Sequence, residues 1–336
     1  MKKILALLLV LTLVFAISAC GPKEEAPAEP TPEAEQPAET PETEAEEPAE
    51  EPAEEPAEGA EIDTLKVQII PSKDAERLDA QRKPLQELLE AELGMPVEVT
   101  VGTDYSATIE AMKSGQIHVG FLAPTQYVLA HDQGAADVIL KSMRFDVNDE
   151  GEKLTDAPLV DSFRSQLVAG PDAGIEKVED LKGKTIAVAS YTSTSGFVWP
   201  ANLLADKGLD PQSDVEWVNS GGHDKAIQAV YNGEVDAAFT FKDARYIIAE
   251  ENPDVYEKVV FVLDTEPIPN DTISVIPSMS QELRDKIADA FLKIAENEEG
   301  LEVFRSVYEW EGFSKAQDSD YDIVRTYLKR QEEWDF

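Results

Sequence analysis

The chain has 336 residues, 29 Lys and Arg against 68 Asp and Glu, a formal net charge of −39 and a single cysteine. Because binding to nucleic acid depends on Lys and Arg neutralising phosphates, this charge argues against nucleic acid as a partner. A single cysteine excludes an intramolecular disulfide and any site built from several thiolates, and three histidines leave little room for a His-rich metal centre. We therefore expect no metal and no cofactor, and the length suits two lobes of roughly 150 residues each.

The N-terminus, residues 1–19, has the features of a signal peptide. Lys2 and Lys3 precede an almost wholly apolar run over residues 4–17, which is shorter than the ~20 residues that a membrane-spanning helix needs. The segment ends with Ser18-Ala19-Cys20, which resembles the lipobox of bacterial lipoproteins. That resemblance implies a lipid on Cys20 and an extracytoplasmic protein that is held at the bacterial membrane by lipid alone. An ordinary signal peptide followed by a chance cysteine is the alternative.

Residues 20–60 join the predicted lipid site to the rest of the chain. The stretch 21–60 contains 15 Glu and 9 Pro, has Lys23 as its one basic residue, and lacks aromatic and large aliphatic side chains. Such a composition cannot bury enough apolar surface to offset the entropy lost on ordering, so the sequence predicts a disordered, extended tether. A role as an acidic binding tail is the alternative to a simple spacer.

Alternating strand and helix patterns over residues 61–336 predict an α/β fold with parallel units. Residues 65–71 alternate like a strand, and Pro84 is expected to begin a helix that Gly94 ends. Beyond residue 276 we expect only helices. The other predicted strands are 97–101, 117–121, 166–169, 185–189, 215–218, 235–240, 259–263 and 273–276, and the other helices are 106–113, 196–206 and 225–231.

Residues 105–121 and 223–239 form a weak internal repeat in which Ile, Ala, Gly and Phe match without a gap. Each copy predicts a helix, a glycine stop and a strand, which places Tyr105 and His223 at equivalent helix N-termini in opposing lobes. Ligands of open α/β sheets bind beyond the carboxyl ends of the strands, where such N-termini lie. We expect one lobe to comprise residues 61–165 and 273–336, and the other to comprise residues 166–272.

The strongest local signal for a binding site is the run Thr-Ser-Thr-Ser-Gly at residues 192–196, between a predicted strand and a predicted helix. Hydroxyls and free backbone N–H groups converge at such a helix N-terminus, where the helix dipole favours an anion. A simple helix cap is the alternative. Further along, two glycines at 221–222 leave room for a close backbone approach, and His223 is either a donor to an oxyanion or a capping residue. Tyr105 and Tyr127 follow strands, as candidate ligand-binding or core residues.

Five short motifs follow one another in a distinctive order. They are Asp104-Tyr105, Ser193-Thr194-Ser195-Gly196, Gly222-His223, Val235-Asp236-Ala237 and Ile268-Pro269-Asn270-Asp271. With these motifs, residues 65–330 resemble the substrate-binding proteins of phosphonate, phosphite and phosphate ABC importers. The resemblance implies a type II periplasmic-binding-protein fold, in which two α/β lobes joined by a hinge close on a ligand in a central cleft. It also implies a small phosphorus-oxyanion ligand, an ABC permease and ATPase as partners, and no enzymatic activity. We expect a monomer.

The same resemblance implies a set of residues that hold the ligand. The phosphorus oxygens are expected to bind to the Ser193, Thr194 and Ser195 hydroxyls, with Tyr105 from the first lobe and His223 from the second.

Two acidic positions, Asp243 and Asp271, match family residues that meet an amine or a P–OH group. Because two carboxylates outnumber the single P–OH of a monoprotonated oxyanion, they favour an aminoalkylphosphonate as the ligand. The chain departs from the family at Phe163, where a tyrosine is common, so one hydroxyl donor is lost there. Arg164 and Tyr127 are the candidates to replace that donor.

Other functions stay open at this point. A receptor for a sulfonate or another small oxyanion belongs to the same binding class. A secreted serine hydrolase would use Ser193 or Ser195 with His223 and an aspartate, but the chain lacks a Gly-x-Ser-x-Gly elbow. A purely structural surface lipoprotein is the remaining alternative.

Overall fold

The computed structural model describes residues 62–72, 75–148 and 151–334. The predicted signal peptide, the predicted lipidation site Cys20 and the predicted tether therefore lie outside the described residues. Everything described belongs to one unit of the chain, Glu54–Phe336. Among the described helices, none combines the length and the apolar character required to cross a bilayer.

The described residues contain strands that are numbered here in chain order. They are β1 (Leu65–Ile69), β2 (Val97–Val101), β3 (Val119–Leu122), β4 (Asp137–Met143), β5 (Ser162–Ala169), β6 (Thr185–Val188), β7 (Glu216–Asn219), β8 (Ala237–Phe241), β9 (Val260–Pro269), β10 (Thr272–Val275) and β11 (Gly312–Lys315).

The α-helices alternate with these strands along most of the described chain. They are α1 (Ala75–Leu93), α2 (Tyr105–Lys113), α3 (Pro124–Asp132), α4 (Trp199–Asp206), α5 (His223–Tyr231), α6 (Tyr246–Ala249), α7 (Val255–Lys258), α8 (Gln281–Ile294), α9 (Glu298–Tyr308) and α10 (Asp322–Gln331). Short 3₁₀ turns lie at Val178–Leu181 and Asp318–Tyr321, and a π-helical turn lies at Thr194–Val198.

The strands form two separate sheets, which confirms the predicted α/β class. The first sheet has the order β11-β4-β10-β3-β1-β2 and the second has the order β7-β6-β8-β5-β9. Strands β1, β2 and β3 pair in parallel, as do β6, β7 and β8, whereas β4, β5, β9, β10 and β11 pair antiparallel to their neighbours. The prediction of parallel units therefore holds for the βαβ segments alone.

Both faces of the second sheet are buried, because successive residues of a strand point to opposite faces. In β5, Leu167 packs in one apolar cluster and Val168 in another on the opposite face. Strands β6 and β8 divide their side chains between the same two clusters. Each fully buried Leu, Ile, Val or Phe side chain contributes about 1.5–3 kcal/mol, so helices on both faces stabilise this sheet.

Two sequence-based predictions about elements were wrong. Pro84 lies inside α1 rather than at its start. The preceding turns are helical because they bury Leu78 on the same face as Leu85 and Leu89, and this burial offsets the lost backbone hydrogen bond. The segment after residue 276 is not wholly helical, because β11 pairs with β4 at the edge of the first sheet.

The chain passes between the sheets twice, after β4 and again between β9 and β10. The first crossing, residues 144–161, precedes the predicted lobe boundary at 165/166, and the second, residues 270–271, precedes the predicted boundary at 272/273. The last helix, α10, contacts elements of both parts: Gln331 Nε2 donates to the Val198 carbonyl at 3.2 Å, and Arg325 Nε donates to Asp132 Oδ1 at 3.1 Å.

Candidate ligand-binding site

A cavity of about 90 Å³ lies where segments of both sheets converge. This volume is several times the ~10–15 Å³ that one water molecule needs, so the space admits a small ligand. The structure brings six of the eight residues predicted to bind ligand to its wall, namely Tyr105, Ser193, Thr194, Ser195, His223 and Asp271.

The Ser-Thr-Ser residues occupy the turn between β6 and α4. The Ser193 hydroxyl caps this turn by accepting a hydrogen bond from the Gly196 amide at 3.1 Å. A Cβ atom at position 196 would lie only 2.8 Å from the Ser193 Oγ, so the turn requires glycine there. The π-helical residues then continue directly into α4, and Ser193, Thr194 and Ser195 at the start of this turn line the cavity.

The three hydroxyls of this turn have different partners. Ser193 Oγ lies 3.5 Å from His223 Nε2. Thr194 Oγ1 donates to Thr125 Oγ1 at 2.9 Å and accepts from the Thr125 amide at 3.0 Å. The Ser195 hydroxyl makes no hydrogen bond to any described residue, whereas the Ser195 carbonyl accepts from Ser165 Oγ at 2.6 Å. Ser195 therefore presents the hydroxyl that is most available to a ligand.

His223 is the first residue of α5, after Gly221 with a φ of +75°. Its ring is buried and packs edge-on against Phe241, with 5.0 Å between the ring centroids. Burial lowers the pKa of His223 to about 3, so the ring is neutral at neutral pH. Nδ1 has no hydrogen-bond partner among the described residues. A neutral imidazole has one N–H donor, which is what a bound oxyanion requires.

Tyr105 begins α2, directly after the capping residue Asp104. The repeat-based prediction that Tyr105 and His223 occupy equivalent helix N-termini is confirmed. Burial, and then the charges of Asp271 and Asp224, raise the pKa of Tyr105. Its hydroxyl therefore stays protonated and is able to donate to an anion.

Asp271 lines the cavity but is already paired within the protein. Its Oδ2 accepts from Arg144 Nη2 at 3.2 Å and from Trp310 Nε1 at 3.3 Å. Burial raises the pKa of Asp271, and the nearby Arg144 guanidinium opposes that shift.

The structure places two of the predicted site residues away from the cavity wall. Asp243 has a φ of +60°, and its Oδ1 accepts from Arg245 Nε at 2.9 Å. Burial raises the pKa of Asp243 to about 6. Tyr127 is fully buried and donates to Asp318 Oδ1 at 2.7 Å, because α3 directs it toward the C-terminal segment. The expectation that both residues face the ligand is corrected by this placement.

Several wall residues were missed by the sequence analysis. The most important is Arg144, whose guanidinium lies over the Phe163 ring at 4.9 Å from the centroid. Arg164, which the sequence suggested as a replacement for the donor lost at Phe163, donates to the Thr265 carbonyl at 2.6 Å and is not part of the wall. No motif surrounds Arg144, and only recognition of strand β4 would have drawn attention to it. The other missed wall residues include Lys153, Lys242, Tyr246, Tyr308 and Glu309.

Comparison with known proteins defines the class. A family model described as "ABC transporter, phosphonate, periplasmic substrate-binding protein" matches residues 67–321. The chain therefore belongs to this family of phosphonate-type ABC substrate-binding proteins, whose members are binding proteins rather than enzymes.

Three individual proteins illustrate the similarity. A phosphate-import protein of Mycolicibacterium smegmatis is 30% identical over 186 residues, which are 53% of this chain and 55% of the relative. That match spans little more than half the length of the relative. A phosphonates-binding periplasmic protein of Escherichia coli is 23% identical over 258 residues, 76% of this chain and 72% of the relative.

The third is a solved structure, PhnD1 from Prochlorococcus marinus in complex with methylphosphonate. It superimposes with a TM-score of 0.67 at 17% identity and covers 80% of this chain and 98% of that chain. This similarity confirms the predicted type II periplasmic-binding-protein fold.

Proposed function

We propose that this protein is a lipid-anchored, extracytoplasmic receptor that delivers a phosphorus oxyanion to an ABC permease and its ATPase. The observation that carries the proposal is the convergence of neutral hydrogen-bond donors on one small buried cavity. The Ser195 hydroxyl, the protonated Tyr105 hydroxyl and the neutral His223 ring all line it. The positive end of the helix dipole at the π-helical turn adds to the attraction for an anion.

The ligand class is supported by the size of the cavity and by the relatives. Phosphate, phosphite and small phosphonates fit a space of about 90 Å³. The curated relatives are named for phosphate import and for phosphonate binding. A net charge of −39 does not prevent such binding, because carboxylates more than ~8 Å away are screened at physiological salt.

The geometry argues against the serine-hydrolase alternative. The distance of 3.5 Å from Ser193 Oγ to His223 Nε2 is at the limit of a hydrogen bond. His223 Nδ1 also lacks a carboxylate partner among the described residues. A catalytic serine needs a base that a third group orients, so this arrangement suits binding rather than catalysis.

The ligand class is tested by thermal unfolding of the purified chain with phosphate, phosphite, methylphosphonate and 2-aminoethylphosphonate. Sulfate and methanesulfonate serve as matched controls of similar size. A true ligand at 100 times its dissociation constant adds ~2.7 kcal/mol of stability. Stabilisation by sulfate or methanesulfonate alone would indicate a receptor for sulfur oxyanions instead. Stabilisation by none of the six compounds would refute the proposed ligand class.

The lipid anchor is tested separately. Cys20→Ser should abolish labelling by radioactive fatty acid and leave unprocessed precursor or release protein from the membrane fraction. Ser18→Ala keeps a small residue in the lipobox and should retain the label. Undiminished labelling of the Cys20→Ser variant would show that the anchor lies elsewhere.

A further inference from the structure

The cavity wall carries charged side chains whose pairing bears on the choice of ligand. Among the described residues of the wall are three cations, Arg144, Lys153 and Lys242, and two carboxylates, Asp271 and Glu309. The wall is therefore richer in positive charge, although the chain as a whole is strongly acidic. The inference below rests on the proposed function and concerns the substituent of the phosphorus oxyanion.

Each carboxylate of the wall is paired with a protein cation. Asp271 pairs with Arg144 at 3.2 Å and also accepts from the Trp310 indole. Glu309 pairs with Lys153 at 3.0 Å. A ligand ammonium would have to compete with these protein groups for either carboxylate.

Asp243, one of the two aspartates that favour an amine-bearing ligand in the sequence, is not available to a ligand ammonium either. The Asp243 carboxylate pairs with Arg245 at 2.9 Å, and both side chains are 5% exposed. Lys242, the residue before it, lines the cavity instead and pairs with Asp264 at 2.6 Å. An ammonium group in this part of the site would therefore meet Lys242, and the nearby carboxylates Asp243 and Asp264 are already paired with protein cations.

Arg144 is fixed in position at the cavity wall. Its guanidinium lies over the Phe163 ring, 4.9 Å from the centroid, and it pairs with Asp271 on one side. Its buried Nε has no hydrogen-bond partner among the described residues. A guanidinium has five N–H donors, so the pairing with Asp271 leaves donors for a ligand oxygen. Arginine is well suited to phosphate-like oxyanions because its planar fork binds two oxygens at once.

We propose that Arg144 is a ligand-binding residue that determines specificity, and that the site takes phosphorus oxyanions without an amino group in preference to aminoalkylphosphonates. Arg144 supplies the hydrogen-bond donor that is missing at Phe163. It also pairs with Asp271, the carboxylate that a ligand amine would need. This assignment reverses the preference that the two aspartates suggest when they are considered from the sequence alone.

The test is calorimetric affinity for methylphosphonate, phosphite and 2-aminoethylphosphonate in the wild type and in Arg144→Gln. The wild type should bind methylphosphonate or phosphite at least ~10-fold more tightly than 2-aminoethylphosphonate. Arg144→Gln should weaken these two ligands by about 10- to 150-fold, because a charge-assisted hydrogen bond is lost. The same variant should lose less affinity for 2-aminoethylphosphonate, or should bind it more tightly than the wild type does. The reason is that Asp271 then has no cationic partner in the protein.

Three further variants separate the proposed role from a structural one. Arg164→Gln removes a nearby arginine that is not in the wall and should leave all the affinities unchanged. Arg144→Lys keeps the charge and should preserve discrimination against the amine. In Arg144→Gln, affinity for 2-aminoethylphosphonate should rise relative to affinity for methylphosphonate and phosphite. Adding Asp271→Asn should abolish that relative rise.

The possible results are distinguishable. Tighter binding of 2-aminoethylphosphonate by the wild type, or equal losses for all ligands in Arg144→Gln, would overturn the assignment while leaving the proposed function intact. Failure of the wild type to bind any phosphorus oxyanion would overturn the proposed function and the assignment together.

Discussion

Ser193, Thr194 and Ser195 have different partners in the structure, although their side chains are chemically alike. Ser193 caps its own turn, Thr194 bonds to Thr125 across the cleft, and Ser195 has its hydroxyl at the cavity wall. The difference arises because consecutive residues of a helical turn point in different directions. Substitutions in this turn should therefore have separable effects on affinity and stability.

Ser195→Ala should weaken binding of the phosphorus oxyanion by about 10- to 150-fold, because a hydroxyl donor to a charged oxygen is lost. The control is Ser165→Ala, which removes a buried hydroxyl that bonds to the Ser195 carbonyl but does not line the cavity. That variant should mainly lose stability, by about 1–3 kcal/mol. Calorimetry and urea unfolding measure the two effects. Similar affinity losses in both variants would contradict a direct role for Ser195.

His223 and Asp243 should affect the pH dependence of stability in opposite directions. Burial lowers the pKa of His223 from 6.5 to about 3, so its contribution is present above pH 6.5 and is lost as the pH falls. Burial raises the pKa of Asp243 from 3.8 to about 6, so its contribution is present below pH 3.8 and is lost as the pH rises through 6.

Urea unfolding at pH 7.5 and pH 4.5 checks these signs. The loss of unfolding free energy on acidification should be smaller in His223→Gln than in the wild type, and larger in Asp243→Asn. Each variant thus serves as the control for the other. Changes in the same direction for both variants would show that these two groups do not titrate as their burial implies.

At the scale of elements, the turn before α4 and the start of α3 form a contact between the two parts of the fold. Besides the bond between Thr125 and Thr194, Gln126 Nε2 donates to the Thr192 carbonyl at 2.8 Å. On the other side of the cleft, the His223 amide donates to the Ser72 carbonyl at 3.2 Å. The elements that carry the site therefore also join the two sheets.

Thr125→Val should weaken ligand binding, because it removes the bond between the two threonine hydroxyls but keeps the bond from the Thr125 amide to Thr194 Oγ1. Thr194→Val removes both bonds between the lobes and should weaken binding more. Thr125 is fully buried and does not line the cavity, so its effect on the ligand must be indirect. The double variant should lose less than the sum of the two, with a coupling of about 0.5–3 kcal/mol. Unchanged affinity in Thr125→Val would show that the hydroxyl bond between the lobes does not contribute to ligand binding.

At the scale of the whole molecule, the two crossings between the sheets meet at the site. Arg144 directly follows β4 and Asp271 lies between β9 and β10, so their ion pair joins the two crossing segments beside the cavity. A ligand bound to Arg144 would thus contact the connections about which we expect hinge bending between the lobes.

Saturation with a phosphorus oxyanion should therefore close the cleft and reduce the radius of gyration in solution X-ray scattering. His223→Ala, at the same ligand concentration, provides the control if its affinity is too low for saturation. An unchanged radius of gyration in a wild-type sample that calorimetry shows to be saturated would argue against closure.

Local features of the fold and the site were predictable from the sequence. Tyr105 and His223 begin helices as the repeat indicated, and the run at 192–196 forms a turn between a strand and a helix. Glycine stops, caps and apolar periodicity act over a few residues, so they are visible in a short window of sequence. Membership of the family depends on the order of such local motifs, and for that reason it was recognisable before the structure.

Only the tertiary structure decided which charged and aromatic side chains reach the cavity. Arg144 meets Asp271 across 127 positions of sequence, and Tyr127 meets Asp318 across 191. Asp243 turns to Arg245 because the backbone at that point adopts a positive φ within a packed turn. The direction of a buried side chain depends on the partners that the whole fold brings to it, and a charged group needs such a partner to be buried. Sequence alone therefore predicted several residues that line one cavity, whereas long-range packing determined which charged side chains join them there.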